Sequence, residues 1–435
     1  MSNNINIFNQ INKKINNKKA VVAVVGLGYV GLPLCERVLN LGYKVYGIDT
    51  DQKKINLILN KKIYIPLVNN SRFVSKIKKS FLVSSNYNCI NKSDIIIICV
   101  PTPLYKNYKP DLTPLKSTYN SLEKYLKTKQ LLIIESSTYP GCTNDIFFKL
   151  IKNKFLVGEN FFLGYSPERE DPGNKKYNIS NIIKITSGKT KKCRILTNNF
   201  YKKITKTKIV SNIETAEFTK LYENVYRSIN IALANESKML ADKLKLNIDE
   251  IITAAATKPF GFSRFEPGPG VGGHCIPIDP FYLSWIAKNN NVNLNLTKSA
   301  AKINFKVTKW LKNKILYYLK NKIKKKKPKI FLIGAAYKKN TNDLRMSPTL
   351  YLIKELKKKF HIYYNDNYVK EIKTKMFNEI YNSVSINKKN LRKADITVIM
   401  TDHDYLKKNQ ILKESKVIFD SRNLFKINHK KIYKV

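Results

Sequence analysis

The feature that most restricts the fold is an apolar run, Val21 to Val25, that stops at a glycine turn and gives way to a helical pattern reaching Leu41. A continuous apolar run of that length suits a strand buried on both faces, as in a parallel sheet. The turn carries Gly26, Gly28, Tyr29, Val30 and Gly31 in the pattern G-x-G-x-x-G. Its glycines let the chain tighten, let backbone approach a pyrophosphate and let helix pack on strand. The helix N-terminus then favours phosphate charge. A second strand, Lys44 to Asp49, ends on a carboxylate 18 residues beyond Gly31. Such a carboxylate accepts hydrogen bonds from the adenosine ribose and repels a 2′-phosphate, so the pattern points to NAD rather than NADP.

Further strand-like runs are Phe81–Ser84, Asp94–Val100, Leu131–Ser136, Phe161–Tyr165 and Ile182–Thr186. Strands alternating with helical stretches indicate βαβ units. From Thr215 to Leu246 the period becomes that of one long helix. A Gly/Pro-dense stretch, Pro259 to Pro280, interrupts the helical region, which resumes from Phe281 and again from Leu296 to about Lys322. Four more strands are expected at Ile330–Gly334, Ile362–Asn365, Asp395–Thr401 and Val417–Asp420. The expected fold class is therefore α/β: two Rossmann-like doubly wound domains joined by a helical central domain with one long helix. The expected boundaries are residues 1–210, 211–320 and 321–435.

The formal charge of +49 is spread through every segment. The densest run, Lys324 to Lys327, has no interleaved aromatics and reads as a solvated helix end rather than a nucleic-acid patch. No nucleic-acid partner is expected, although the field favours an anionic small substrate. No run approaches the roughly 20 apolar residues of a membrane helix, and the first 20 residues lack an apolar signal core. The chain reads as cytoplasmic, with no membrane partner. None of the six cysteines forms a CxxC pair or pairs with His at metal-ligand spacing, so reduced thiols and no metal are expected.

Two clusters carry chemistry. In the first, the glycine-rich stretch from Gly268 through Gly272 and Gly273 ends on His274, Cys275 and Asp279. That many glycines suit a loop pressed against a ligand, and a single thiol four residues before a carboxylate resembles an activated nucleophile site. Asp279 and Pro280 also read as an N-cap with proline at the first helical position. In the second, Lys220, Asn224 and Arg227 share one face of the long helix. A solvated stripe is one reading. The other is buried polar groups that face an anion, since Ile229, Ala232, Leu233 and Ala234 follow as if the helix entered the core.

With these residues in place the sequence resembles the UDP-glucose/GDP-mannose dehydrogenase superfamily, and within it the UDP-N-acetyl-D-glucosamine 6-dehydrogenase branch. The likeness runs through the first glycine turn, Val100–Pro103, Ser136–Gly141, Tyr165–Arg169 and Lys220–Glu236. It continues through Gly272–Pro280, Ala336–Arg345 and Phe419–Arg422. It implies a four-electron oxidation of a sugar C6 alcohol with two NAD molecules in turn, through a thioester on Cys275, for surface polysaccharide. The same likeness assigns oxyanion stabilisation to Lys220 and Asn224, water positioning to Asp279 and general-base catalysis to Glu168. It puts Thr102, Thr138 and Arg345 at the cofactor, and Arg227, Gly272, Lys339 and Arg422 at a UDP-sugar substrate. It further implies a homo-oligomer, at least a dimer, through the long helix. Ile278 stands where the UDP-glucose branch carries Lys, which favours an N-acetylhexosamine. Cys142 and Ser421 depart from the usual Thr and Gly without removing a reacting group.

Overall fold

The computed structural model describes residues 2–65, 68, 70–171, 177–373, 376–377 and 379–435. Its residues gather in two compact units, Met1–Glu223 with Phe281–Asn290, and Asn224–Pro280 with Asn291–Val435.

The first unit is built on eight strands: β1 (Val21–Val25), β2 (Lys44–Ile48), β3 (Phe81–Ser84), β4 (Ile95–Ile98), β5 (Gln130–Ile134), β6 (Phe161–Tyr165), β7 (Lys184–Gly188) and β8 (Thr207–Ile209). They lie in the order β3-β2-β1-β4-β5-β6-β7-β8. Every neighbouring pair is parallel except β6 with β7. β4 is four isoleucines, all buried, and β5 is buried throughout, as a sheet covered on both faces requires. Strand order reverses between β1 and β4, so the crevice beyond their C-terminal ends is where such a sheet takes a ligand.

Two details escape an apolar-run reading. β7 begins two residues later than expected, because Ile183 is 48% exposed while Lys184 is buried. The N-terminal segment also forms a helix, Ser2–Asn16, that seats Ile11 and Ile15 in the core and places Lys14 against Asp94. Asparagine-rich composition hides a helix whose few apolar residues fall at helical spacing.

The long helix runs from Ile213 to Lys243, followed by Ile248–Ala255. Asp279–Asn289 and Asn295–Lys322 are helices as well. The long helix does not bury the whole segment after Arg227: Ala232 and Ala234 are covered, but Leu233 is 61% exposed and Arg227 is exposed too.

The second unit holds a five-stranded parallel sheet of β9 (Lys329–Ile333), β10 (His361–Asn365), β13 (Ile396–Ile399), β14 (Ile418–Asp420) and β15 (Ile432–Lys434). Their order is β10-β9-β13-β14-β15. β11 (Glu371–Ile372) and β12 (Tyr381–Asn382) form a small antiparallel pair beside it. β15 was not expected: a three-residue edge strand flanked by lysines gives no apolar run. The α/β class with a Rossmann-like first domain, a helical middle and a C-terminal sheet domain is as expected. No helix among the described residues is long and apolar enough to cross a membrane.

Candidate active site

In the first unit, the expected cofactor residues follow the C-terminal ends of the parallel strands. The glycine turn follows β1, Asp49 follows β2, Thr102 follows β4 and Thr138 follows β5. Gly26 sits at φ +94°, where a Cβ would meet the Cys99 carbonyl oxygen at 2.7 Å, and a Cβ on Gly31 would lie 1.9 Å from the Gly26 oxygen. Both are glycine because the protein's own backbone closes on them. Gly28 differs: a Cβ there would meet nothing within 4 Å. Packing does not explain its lack of a side chain, whereas a ligand lying against the turn does. The helix Gly31–Asn40 also starts without a side-chain cap, which leaves its first turn suited to a pyrophosphate.

Asp49 is buried and already engaged. Its carboxylate accepts from the Leu27 amide at 2.8 Å, the Asp51 amide at 2.9 Å and the Lys54 ammonium at 2.9 Å. It therefore fixes the glycine turn. Thr102 and Thr138 are buried, and the Thr138 hydroxyl donates to Glu217 at 3.2 Å.

Glu168, just past β6, has a partner that sequence reasoning missed. The Lys184 ammonium bridges Glu168 at 2.8 Å and Glu135 at 3.1 Å, and the Tyr201 hydroxyl donates to Glu135. Burial works to raise the Glu168 carboxyl, but the Lys184 charge and the Glu170 and Arg169 amides outweigh it and hold it below the ordinary value. Burial dominates at Glu135 and raises it. A lysine inside an apolar strand and a glutamate at the end of another were the available signals, since a charge at a core position needs an opposite partner. Glu217 was missed as well. It is fully buried on the long helix and accepts from the Gly141 amide (2.6 Å), the Thr143 amide (2.9 Å) and the Thr143 hydroxyl (2.7 Å). It thereby ties the turn bearing Thr138 to the helix bearing Lys220. Lys220 is buried on that helix, 7% exposed.

In the second unit, the structure brings together Cys275, Asp279, Asn224, Gly272 and Arg345. Of the six cysteines Cys275 alone is exposed. Burial pushes the Cys89 thiol up to about 11 and raises those of Cys35, Cys99 and Cys142 well above the ordinary value, so these are poor nucleophiles. The Cys275 carbonyl accepts from the Ile278 amide at 3.0 Å and the Asp279 amide at 2.8 Å, which turns the chain into the helix Asp279–Asn289. The buried Asp279 carboxylate accepts from the Asn224 side-chain amide.

The glycines of this loop press on the second sheet domain. The Gly273 amide donates to the Arg345 carbonyl at 2.7 Å, and a Cβ on Gly272 would lie 2.4 Å from the Tyr337 Cβ. Arg345, expected at the cofactor, forms a two-pronged pair with Asp343 through its Nε and one terminal nitrogen. Burial opposes its charge, yet Asp343 prevails, with Tyr337 and the Cys275 sulfur adding support. The Arg345 guanidinium therefore lies within electrostatic reach of the Cys275 sulfur. His274 is neutral: burial and the nearby Arg345 pull it down to about 4.

Arg422 is half-buried, and its side-chain bonds go to neutral carbonyls, Met400 at 2.9 Å and Tyr337 at 3.1 Å. Burial lowers its pKa against the pull of Asp402. A cation bonded this way suits an incoming diphosphate. Lys339 is half exposed and pairs with Asp404 at 2.8 Å. Arg227 points outward rather than joining Lys220 and Asn224 in a buried face. Among the described residues no group of three His, Cys, Asp or Glu side chains could hold a metal ion.

Comparison with known proteins identifies the family. Three models of the UDP-glucose/GDP-mannose dehydrogenase family match in order: the NAD binding domain over residues 20–205, the central domain over 214–306 and the UDP binding domain over 331–427. The chain is 34% identical over 348 residues to UDP-N-acetyl-D-glucosamine 6-dehydrogenase of Pseudomonas aeruginosa, covering 78% of this chain and 80% of that one. It is 32% identical over 428 residues to UDP-N-acetyl-D-mannosamine dehydrogenase of Methanococcus vannielii, covering 94% and 93%. The solved structure of a UDP-D-ManNAc dehydrogenase from Pyrococcus horikoshii superposes with a TM-score of 0.84 at 31% identity, over 95% of this chain and 97% of that one. A glycine turn open for a dinucleotide, an exposed cysteine on a glycine loop and a full-length match in three successive domains have one reading: the chain belongs to the UDP-glucose/GDP-mannose dehydrogenase family, and is an NAD-dependent nucleotide-sugar dehydrogenase.

Proposed function

We propose that this enzyme oxidises C6 of UDP-N-acetyl-D-glucosamine to the carboxylate through a thioester on Cys275, supplying a uronic acid for surface polysaccharide. The observation that carries this reading is the lone exposed thiol, on a loop tied to Arg345 and one turn before the Asp279 that pairs with Asn224. NAD, when bound, accepts one hydride in each of two oxidations. The alcohol first loses a hydride and a proton to give an aldehyde. The Cys275 sulfur then adds to the aldehyde carbon and the oxygen takes a proton, forming a thiohemiacetal. Loss of a second hydride and that proton leaves the thioester, and water releases the acid and regenerates the thiol. Covalent capture holds the aldehyde between the two oxidations.

Lys220 and Asn224 are assigned to the developing oxyanion. Asp279 positions the hydrolytic water, and Glu168, held ionised by Lys184, takes its proton. The glycine turn, with Gly26, Gly28, Tyr29, Val30 and Gly31, holds NAD together with Asp49, Thr102, Thr138 and Arg345. Gly272, Lys339, Arg422 and Arg227 serve the nucleotide-sugar. A homodimer through the long helix is part of the same reading. Its support is a row of exposed Phe218, Tyr222, Tyr226, Leu233 and Leu240 along that helix.

A second reading is the same chemistry on UDP-N-acetyl-D-mannosamine, the C2 epimer. The greater coverage of the Methanococcus relative and the Pyrococcus structure favour it. Purified protein, NAD and a panel of UDP-sugars separate the two. Two NADH per UDP-N-acetyl-D-glucosamine supports the first; turnover confined to the mannosamine epimer replaces it with the second. Unchanged acid production by Cys275→Ala refutes the thioester in both.

A further inference from the structure

Lys238, near the end of the long helix, has no place in this chemistry and no partner. It is 8% exposed, and among the described residues no hydrogen bond or ion pair reaches its ammonium. The two nearby acids are committed elsewhere. Asp242 pairs with Lys314, and Asp420 accepts from the amides of Arg422 (3.1 Å), Leu424 (3.0 Å) and Phe425 (2.8 Å). Burial pulls Lys238 down to about 8; Asp420 and Asp242 oppose this, while Lys434 and Lys314 add to it. Lys238 is a largely buried lysine with no anion bonded to it, and a counter-charge that the fold does not supply points to one from outside.

The ammonium lines a cavity of about 690 Å³ within the second unit, formed by the end of the long helix, the helix Asn295–Lys322 and strand β15. That volume lies in the range of small-molecule sites. Lys245, Lys314, Lys322 and Lys434 line it too, against one acidic side chain, Asp242. The cavity also has an aromatic wall. Tyr433 is 41% exposed, with Phe419 stacked behind it at 5.4 Å and Tyr318 edge-on at 5.0 Å, and Tyr317 is 72% exposed. A ring backed in this way is a rigid platform for another flat ring. Neither Lys339 nor Arg422 lines this cavity. Arg422 lines a smaller one of about 270 Å³ that shares Lys238.

We propose that this lysine-lined cavity is a second ligand site, distinct from the substrate site, that takes a nucleotide with its phosphates on Lys238 and its base against Tyr433 and Tyr317. Titration calorimetry of the full chain, held saturated with NADH and UDP so that the cofactor and substrate sites are filled, with ATP and separately with inorganic triphosphate, tests it. One saturable ATP site per chain is expected, weakened at least tenfold by Lys238→Met and by the rim variant Lys322→Glu, and unchanged by Arg422→Ala. Lys322→Glu alters an exposed residue at a helix end, so it keeps the test valid if Lys238→Met misfolds. Four results overturn the proposal: no ATP binding, non-saturable binding from general charge, insensitivity to both lysine variants, or loss with Arg422→Ala alone. Triphosphate binding as tight as ATP overturns the role of the aromatic wall.

Discussion

Replacing Lys184 with Met tests how the candidate general base is held. Lys184 is 4% exposed and lies 2.8 Å from one glutamate and 3.1 Å from another. At those distances each pair is worth about 5–6 kcal/mol at an effective dielectric near 20. Desolvation of the three groups offsets much of that, and removing one partner of a buried pair costs about 3–5 kcal/mol because a charge is left uncompensated. Methionine keeps the volume, so the loss is electrostatic and depends on pH. Glu168 has a depressed pKa in the folded protein, so its contribution is present above the unfolded carboxylate value near 4.3 and fades as pH falls through the lower folded value. Without the lysine both carboxyls titrate upward, and near pH 5 they take up protons that relieve the strain. Urea unfolding followed by circular dichroism should therefore show a gap from wild type of about 3–5 kcal/mol at pH 8 that shrinks to about 1–2 kcal/mol at pH 5. The acid limb of the kcat profile should move up by about one pH unit or more, with Lys184→Arg close to wild type. An equal gap at both pH values, or one below about 1 kcal/mol at pH 8, would refute the reasoning.

The glycine turn yields a contrast: Gly28→Ala should melt like wild type but raise the KM for NAD at least about tenfold, about 1.4 kcal/mol of binding, whereas Gly31→Ala, 1.9 Å from the Gly26 oxygen, should lose thermal stability outright. Asp49→Asn should bring NADP turnover closer to NAD turnover and cost about 1–3 kcal/mol of stability, because Leu27, Asp51 and Lys54 all donate to the carboxylate. Glu217→Gln sets a side-chain NH₂ among donors from Gly141 and Thr143. It should cost about 1–3 kcal/mol in denaturant melts and raise the KM for NAD through the turn holding Thr138.

The fold was legible where burial and apolarity coincide. β1, β3 and β6 fall where the apolar runs lie, and β1 and β6 lie inside the sheet, where a strand covered on both faces has no room for polar residues. The reading slipped where a charge is buried or an apolar side chain is not. Lys184 starts β7 although Ile183 looks the better strand residue, since Lys184 lies between two carboxylates and Ile183 faces outward. The same blind spot hid Glu135, Glu217 and Lys238. A sequence displays residue type, but whether a charge is solvated or buried depends on distant neighbours, 16 positions away for Lys184 and Glu168 and 182 for Lys238 and Asp420. Arg227 shows the converse: helical spacing put it on a face with Lys220 and Asn224, yet that face is covered only part of the way along the helix.

The glycine-rich loop before Cys275 shows how ligand and packing explanations divide. Its composition suggests a loop pressed against a ligand, but for several of these glycines the close neighbour is the protein itself. Gly272 and Gly273 are pressed by the Tyr337 side chain, and Gly270 by the Thr308 hydroxyl. The Thr308 hydroxyl also donates to the Pro269 carbonyl at 2.7 Å. The loop is held from behind by the segment that ends in Arg345, so the position of the Cys275 sulfur is set by the second sheet domain as much as by its own helix. Any side chain at Gly272 would push the loop off Tyr337. A bulky residue there should therefore impair chemistry at Cys275 even though it touches no reacting atom, and of the glycines compared, Gly28 is the one whose bareness is left for a ligand to explain.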